Sequence, residues 1–306
     1  MKKILVTPRS LTKDGHPSFD MLHQKGFTVA FCTAGKQPDE EELIRLLPGC
    51  VGYLAGVEKV SARVLEAGKD LKVISRNGTG IDNVDLAAAE RLKIRICKTE
   101  GANARGVAEL TIGLLFALAR HVPFHDAKMK ANAWERRKGL ELENRTLGLV
   151  GCGKIGEYVA RMALGIGMKV AAYRRNPDLA FAPSSAFRWV SMDELLRSCD
   201  FVSLHRPGAP GGEAVIDKAA VAKMKKGVFI INTARASLLD EAAVLEGLNS
   251  GRVAGAAVDV YAEEPPKNLD LVRHERVVAT PHLGGFTDES VDRATTEAVQ
   301  NLLKNL

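Results

Sequence analysis

The chain lacks a long hydrophobic run. Its most apolar stretch, Leu110 to Ala119, is too short to span a bilayer and is interrupted by Thr111. The apolar run at Ile4-Leu5-Val6 is too short for the core of a signal peptide, so no leader and no membrane partner are expected. Cysteine is sparse: Cys32, Cys50, Cys97, Cys152 and Cys199. Their number is odd and no two form a C-x-x-C pair, which argues against a disulfide framework and a structural zinc site. A reducing cytoplasm is the expected compartment. There is no repeat of solenoid period, no low-complexity linker, no G-x-S-x-G nucleophile elbow and no P-loop. Hydrolase and kinase readings therefore have no support. A strong excess of one charge is also missing. Lysine and arginine number 43 against 37 aspartates and glutamates, leaving +6 on 306 residues. This permits an anionic ligand without implying nucleic acid, and no DNA-reading motif is visible.

What is present is ordinary globular composition, 46% hydrophobic and 26% charged. At about 150 residues per domain, the length suggests two domains. Residues 3–7, 27–32, 51–55, 72–76 and 94–98 read as strands rich in Val, Ile and Leu. Helical spacing separates them at 38–47 and 84–91. A second alternating block begins at Thr146, with strands over 146–150, 169–173, 201–205, 228–232, 254–259 and 277–280. Its helices are expected at 155–165, 192–198, 218–226 and 241–249. A last helix covers 288–304, with Thr287 as N-cap. Such alternation means parallel strands joined by crossover helices. The segment Glu109–Arg120 is apolar nearly all round, so it is expected to be buried on most sides, between domains or between subunits.

Leu147-Gly148-Leu149-Val150-Gly151-Cys152-Gly153-Lys154-Ile155-Gly156 is a strand, then G-x-G-x-x-G, then a helix. Gly151 permits the tight turn, Gly153 lets backbone approach a pyrophosphate, and Gly156 lets helix pack on strand. Lys154 and Ile155 open the helix whose N–H groups would face the anion. An NAD-specific site carries Asp or Glu about 20 residues on, for the ribose 2′-hydroxyl. Here the sequence reads Tyr173-Arg174-Arg175-Asn176, with no acid. Two guanidiniums suit a 2′-phosphate. NADP(H) is therefore expected over NAD(H), with use of both as the alternative.

Three segments at the ends of late strands carry reactive side chains. Arg235 can grip a carboxylate bidentately. His282 can move a proton near neutral pH. Glu264 can orient His282 and stabilise its imidazolium. Strand C-termini are where a doubly wound sheet places its ligand, and the trio suits redox chemistry on a hydroxy acid. His121 and His125 are four apart, but Pro123 lies between them and no acidic third ligand is evident, so no metal is expected. Arg136, Arg137 and Lys138 read as a solvated basic arm.

These segments, with Gly78-Thr79-Gly80-Ile81-Asp82-Asn83-Val84-Asp85 and Val107-Ala108-Glu109-Leu110-Thr111, resemble the D-isomer-specific 2-hydroxyacid dehydrogenase family. The resemblance covers nearly the whole chain. It is closest to the phosphoglycerate-dehydrogenase-like branch, through 134–138 and 142–148. It implies that Arg235, Glu264 and His282 are catalytic. It also implies that Asp259 meets the nicotinamide carboxamide, and that His205-Arg206-Pro207, Thr233-Ala234 and Gly284 touch the cofactor. Ala55, Gly56, Asn77, Gly78 and Thr79 would line the substrate together with Arg235 and His282. The implied fold is α/β with two doubly wound parallel-sheet domains. A Rossmann cofactor domain, 99–282, would be inserted into a flavodoxin-like substrate domain, 1–98 plus 283–306. A homodimer is implied through the helix and arm after the first hinge.

Two departures from the family pattern are Arg174 in place of the acid and an expected lack of the C-terminal regulatory domain that some phosphoglycerate dehydrogenases carry. In addition, Leu54-Ala55-Gly56 stands where phosphoglycerate-specific relatives often place an arginine, which bears on substrate. The expected activity is reduction of a 2-oxo acid of glyoxylate or hydroxypyruvate type. D-3-phosphoglycerate oxidation is the alternative, and a nucleotide-sensing scaffold or co-repressor is the alternative from another class.

Overall fold

Short runs of β-branched and aliphatic residues become strands here because both faces of each sheet are covered by helices. The computed structural model describes residues 2–208 and 212–306. Met1, at the start of the expected first domain, lies outside the described residues. The chain divides into two compact units, one running to Asn103 and resuming at Gly285–Leu306, the other spanning Ala104–Gly284.

The first unit holds β1 (Lys2–Val6), β2 (Phe27–Phe31), β3 (Cys50–Ala55), β4 (Val73–Arg76) and β5 (Arg95–Lys98). They form one parallel sheet in the order β2-β1-β3-β4-β5. This is the flavodoxin-like order. Every residue of β3 is buried, as expected of a central parallel strand. The C-terminal helix Asp288–Asn305 returns to this unit, burying Ala298, Val299 and Leu302 with Ile4, Val6 and Leu54. Thr287 caps it, accepting from Ser290 N at 3.2 Å.

The second unit holds β6 (Thr146–Val150), β7 (Lys169–Tyr173), β8 (Phe187–Trp189), β9 (Phe201–Leu204), β10 (Val228–Asn232), β11 (Val253–Val258) and β12 (Val277–Ala279). All pairings are parallel, in the order β12-β11-β10-β9-β6-β7-β8. The strand order reverses between β6 and β9. In open α/β sheets the crevice at that switch point, beyond the strand C-termini, receives the ligand. Two fully formed cores flank the sheet, one on each face. In one of them, Phe201 and Phe229 stack at 4.8 Å between centroids.

The units divide beyond the positions expected from sequence, Lys98 and His282. The cause is local hydrogen bonding. Thr79 Oγ1 donates to Thr99 O at 3.3 Å and accepts from Gly101 N at 3.4 Å, while Arg293 Nε donates to Ala102 O at 3.0 Å. Residues 99–102 are thereby tied to the first unit. Leu283 and Gly284 are tied to Asp259 in the second. The helix expected at Glu109–Arg120 runs over Ala104–Arg120. Leu114, Leu115, Leu118 and Ala119 are buried, but Arg105, Glu109 and Phe116 face solvent. It is less enclosed within this chain than its all-round apolar sequence suggests. Among the described residues no single helix is long and apolar enough to cross a membrane.

Candidate active site

The glycine-rich turn joins β6 to the helix Lys154–Gly165, whose N-cap is Gly153. Gly151 has φ +98°, and a Cβ there would lie 2.4 Å from His205 O. Only glycine meets both demands. A Cβ on Gly156 would lie 2.7 Å from Gly151 O, so helix and turn touch backbone to backbone. At Gly153 a Cβ would meet nothing within 4 Å. Open space therefore lies beside the first turn of the helix, where N–H groups have no intrahelical acceptor. A pyrophosphate fits there by charge and by room. Lys154 is exposed and Ile155 half-buried at this edge.

β7 ends beside the turn, with Gly151 N donating to Tyr173 O at 2.8 Å. Arg174 follows, exposed, and its Nη1 donates to Cys152 O at 3.4 Å. The guanidinium therefore lies against the turn itself. Arg175 is also exposed. Burial pushes the Cys152 thiol up to about 12, so it remains an unreactive thiol. After β9, His205 accepts or donates at Nε2 to Ser203 Oγ at 2.8 Å. Its Nδ1 is buried and has no hydrogen-bond partner among the described residues. Burial lowers this imidazole to about 3, so the ring is neutral. A buried ring nitrogen of this kind suits a polar group of a bound ligand. Arg206 is half-buried and Pro207 exposed in the same loop.

Arg235, Glu264 and His282 follow β10, β11 and β12, three adjacent strands. Buried Asn232 shapes the first of these turns. Its Oδ1 accepts from Ala234 N at 3.1 Å and its Nδ2 donates to Arg235 O at 2.9 Å. Thr233 Oγ1 and Thr111 Oγ1 lie 3.0 Å apart and pin the turn to the helix Ala104–Arg120. Arg235 is extended, with Nη1 donating to Ala234 O at 2.7 Å.

His282 Nδ1 lies 2.8 Å and 2.9 Å from the two Glu264 oxygens. A carboxylate only accepts, so Nδ1 carries a proton and Nε2 is left for chemistry. The His282 side chain is 34% exposed and that of Glu264 19%, so the pair is shielded yet reachable. The His282 backbone adopts φ +56°, uncommon for a residue with a Cβ. Asp259 holds that conformation. It is 1% exposed, and it accepts from Thr280 Oγ1 at 2.6 Å, Leu283 N at 2.7 Å and Gly284 N at 2.9 Å. These donors bracket His282 on both sides. Tyr261 adds a strut, its hydroxyl donating to Thr280 O at 2.9 Å and its N–H to Glu264 Oε1 at 3.4 Å. Burial, with the charges of Asp259 and Glu264, pushes its phenol up to about 12, so it stays neutral.

In the first unit, Ala55 ends β3, and the loops after β3 and β4 carry Gly56, Asn77, Gly78 and Thr79. Asn77 N donates to Ala55 O at 2.9 Å, joining the two loops. Gly78 has φ +145°, and Thr99 N donates to its carbonyl at 3.1 Å. Gly56 N donates to Glu58 Oε1 at 2.8 Å.

The model for "D-isomer specific 2-hydroxyacid dehydrogenase, NAD binding domain" matches residues 112–284. The chain belongs to this family. It is 42% identical over 265 residues to a D-3-phosphoglycerate dehydrogenase of Rattus norvegicus, covering 85% of this chain and 50% of that protein. The chain thus spans about half the length of such curated relatives. It is 40% identical over 274 residues to a hydroxypyruvate reductase of Thermotoga maritima, covering 88% of this chain and 89% of that protein. Among solved structures, a glyoxylate reductase from Paecilomyes thermophila is similar with a TM-score of 0.86 and 27% identity. The match covers 99% of this chain and 94% of that one. The nicotinamide cofactor of the family fits the turn around Gly153 and the buried His205 nitrogen.

Sequence reading singled out the groups at the strand ends. It did not single out Asn232, Thr111, Tyr261, Thr280 or Glu58. Thr111, Tyr261, Thr280 and Glu58 act through hydrogen bonds to residues distant in sequence, which no local pattern announces, while Asn232 shapes its own turn. Asp259 was expected to face the cofactor, and its part in holding the His282 loop was not foreseen.

Proposed function

We propose that this protein is an NADPH-preferring reductase of small 2-oxo acids, of glyoxylate or hydroxypyruvate type, acting reversibly on the D-2-hydroxy acid. The observation that carries the reading is the Glu264–His282 pair, with Nδ1 occupied and Nε2 available, beside the Arg235 turn. When bound, the nicotinamide supplies hydride to the carbonyl carbon. Arg235 anchors the substrate carboxylate. His282 Nε2 gives its proton to the carbonyl oxygen, and takes it back in oxidation. Glu264 keeps the imidazole in register and balances its charge. Arg174 and Arg175 would pair with the 2′-phosphate of the cofactor, and no acid at the end of β7 is available for a free ribose hydroxyl.

The rat relative's name favours D-3-phosphoglycerate as a second substrate reading, while Ala55 supplies no cation for a phosphate. The five free thiols fit a reducing compartment. A homodimer would cover Phe116, Val122, Met129 and Trp134, apolar side chains exposed in the second unit.

The test is a panel of glyoxylate, hydroxypyruvate and 3-phosphohydroxypyruvate with NADPH and NADH. The expected result is turnover of an unphosphorylated acid, with kcat/KM at least about tenfold higher with NADPH. Arg174→Asp should abolish that preference. Equal efficiency with both cofactors would remove the NADPH claim. No turnover of any acid would leave the scaffold reading.

A further inference from the structure

The N-terminal edge of the five-stranded sheet has no part in the proposed chemistry. All its strands are parallel, so their first residues lie at that edge, opposite the Gly56 and Gly78 loops. Lys2 opens β1, Gly49 precedes β3, Lys72 precedes β4 and Lys93 stands two residues before β5. Lys72 N donates to Val51 O at 2.9 Å and Arg95 N to Lys72 O at 2.8 Å, so these strand ends are held side by side. An open concavity of about 570 Å³ lies among them. That is room for a small organic ligand. Its lining includes Val51 and Leu71, both buried, and Leu92, 37% exposed.

The charge around it is one-sided. Lys2, Lys69, Lys72 and Lys93 line it against a single acid, Asp70. All four lysines are exposed, and none is in an ion pair among the described residues. By contrast, Arg63, Arg91 and Lys98 of the same unit each reach a glutamate. Helix ends account for part of the excess. The helices Ala62–Ala67 and Leu86–Arg91 finish at this edge, at Gly68 and Leu92. Each presents roughly half a negative charge from its last carbonyls. With Asp70 they balance about two ammonium groups and leave about two without a counterpart. Lys93 also has a backbone φ of +56°, just past the end of Leu86–Arg91, where glycine is the less costly residue. A lysine there keeps another ammonium group at the rim. A concave surface lined by one sign of charge concentrates the opposite ion.

We propose that this concavity binds a small polyanion: a chain of two or three phosphates, free or as the tail of a nucleotide. A phosphate chain fits by charge and by reach, because its separate oxygens can each meet a different ammonium group, and lysine offers a point charge with three donors. A lone carboxylate would engage one or two of them. Leu92 offers apolar surface to the base of a nucleotide and nothing to a free chain, so the two sources are separable. The site is built from the first unit alone and shares no residue with the proposed active site. It goes beyond the reductase activity and does not depend on it.

The experiment is calorimetric titration of the full chain with tripolyphosphate and with ATP. Excess NADP and NAD are both present, so the cofactor site stays filled whichever it takes. The expected result is about one tripolyphosphate per chain with Kd below about 1 mM at about 0.1 M salt, weakening as salt rises. Lys69→Gln/Lys72→Gln/Lys93→Gln should weaken it at least about tenfold with an unchanged thermal midpoint, since exposed substitutions cost little stability. Should the triple variant fail to fold, Lys72→Gln and Lys93→Gln singly should each weaken binding about twofold or more. ATP that binds at least about tenfold tighter than tripolyphosphate marks a nucleotide as the ligand, and anything weaker marks the free chain. No binding of tripolyphosphate up to about 5 mM, or the same Kd in wild type and variants, would overturn the proposal. So would binding of single-stranded RNA without binding of tripolyphosphate, which would make this edge a nucleic-acid surface.

Discussion

At the scale of single residues, the chemistry depends on groups that hold other groups. His282 carries an αL backbone that a residue with a Cβ adopts rarely, and Asp259 fixes it from both sides. Two carboxylate oxygens offer about four acceptor positions, and three are taken by the loop. Asp259→Asn keeps size but turns one acceptor into a donor facing N–H groups. The expected cost is about 1–3 kcal/mol of stability, read as a lower thermal midpoint, together with a fall in kcat from a loosened His282. A variant with wild-type kcat and midpoint would show that the three bonds do not hold the loop. Arg174 acts differently. Its exposed guanidinium rests on Cys152 O, so it is placed at the turn without being locked there.

At the scale of elements, strands and caps were the legible part. β6, β7 and β10 fall at the residues expected from their Val, Leu and Ile runs. Thr287 caps the last helix as its sequence suggests. β8 was not legible, because Phe187–Trp189 is three residues long and is fixed by T-shaped ring contacts with Phe181 and within the strand. The helix Ala62–Ala67 was missed too, although Ser61 caps it, because its six residues show less than two turns of pattern. Of the candidate site, the sequence offers the side chains Arg235, Glu264 and His282, and the structure places them after β10, β11 and β12. The sequence is illegible where the function is to hold a backbone: Glu58 looks like one more acid before a helix until Thr7, Tyr53 and Gly56 surround it. The elements after the first division also leave apolar surface. Phe116 on the helix Ala104–Arg120, Val122 and Met129 on the helix Val122–Lys130, and Trp134, 80% exposed, stand out of the second unit. The homodimer proposed above would cover these side chains. Trp134→Glu/Phe116→Glu should shift the protein from dimer to monomer in sedimentation at micromolar concentration. An unshifted dimer would place the interface elsewhere, and a monomeric wild type would remove it.

At the scale of the whole molecule, two parallel sheets with different strand orders divide the labour. The seven-stranded sheet brings the glycine turn, Arg174, Arg235, Glu264 and His282 to its C-terminal edge, and the five-stranded sheet gathers the Gly56 and Gly78 loops at its own. The near-balance of charge on the chain is consistent with this. Under the proposed function, Arg174 and Arg175 would serve a cofactor phosphate and Arg235 a substrate carboxylate. The central claim is that His282 transfers the proton while Glu264 holds and balances it. The most direct test is kcat/KM for hydroxypyruvate with NADPH in wild type, Glu264→Gln and His282→Gln. Loss of the carboxylate removes the acceptor that fixes the proton on Nδ1 and leaves Nε2 in place, so Glu264→Gln should be about a hundredfold or more slower, as should His282→Gln. An undiminished rate in either variant would contradict the account.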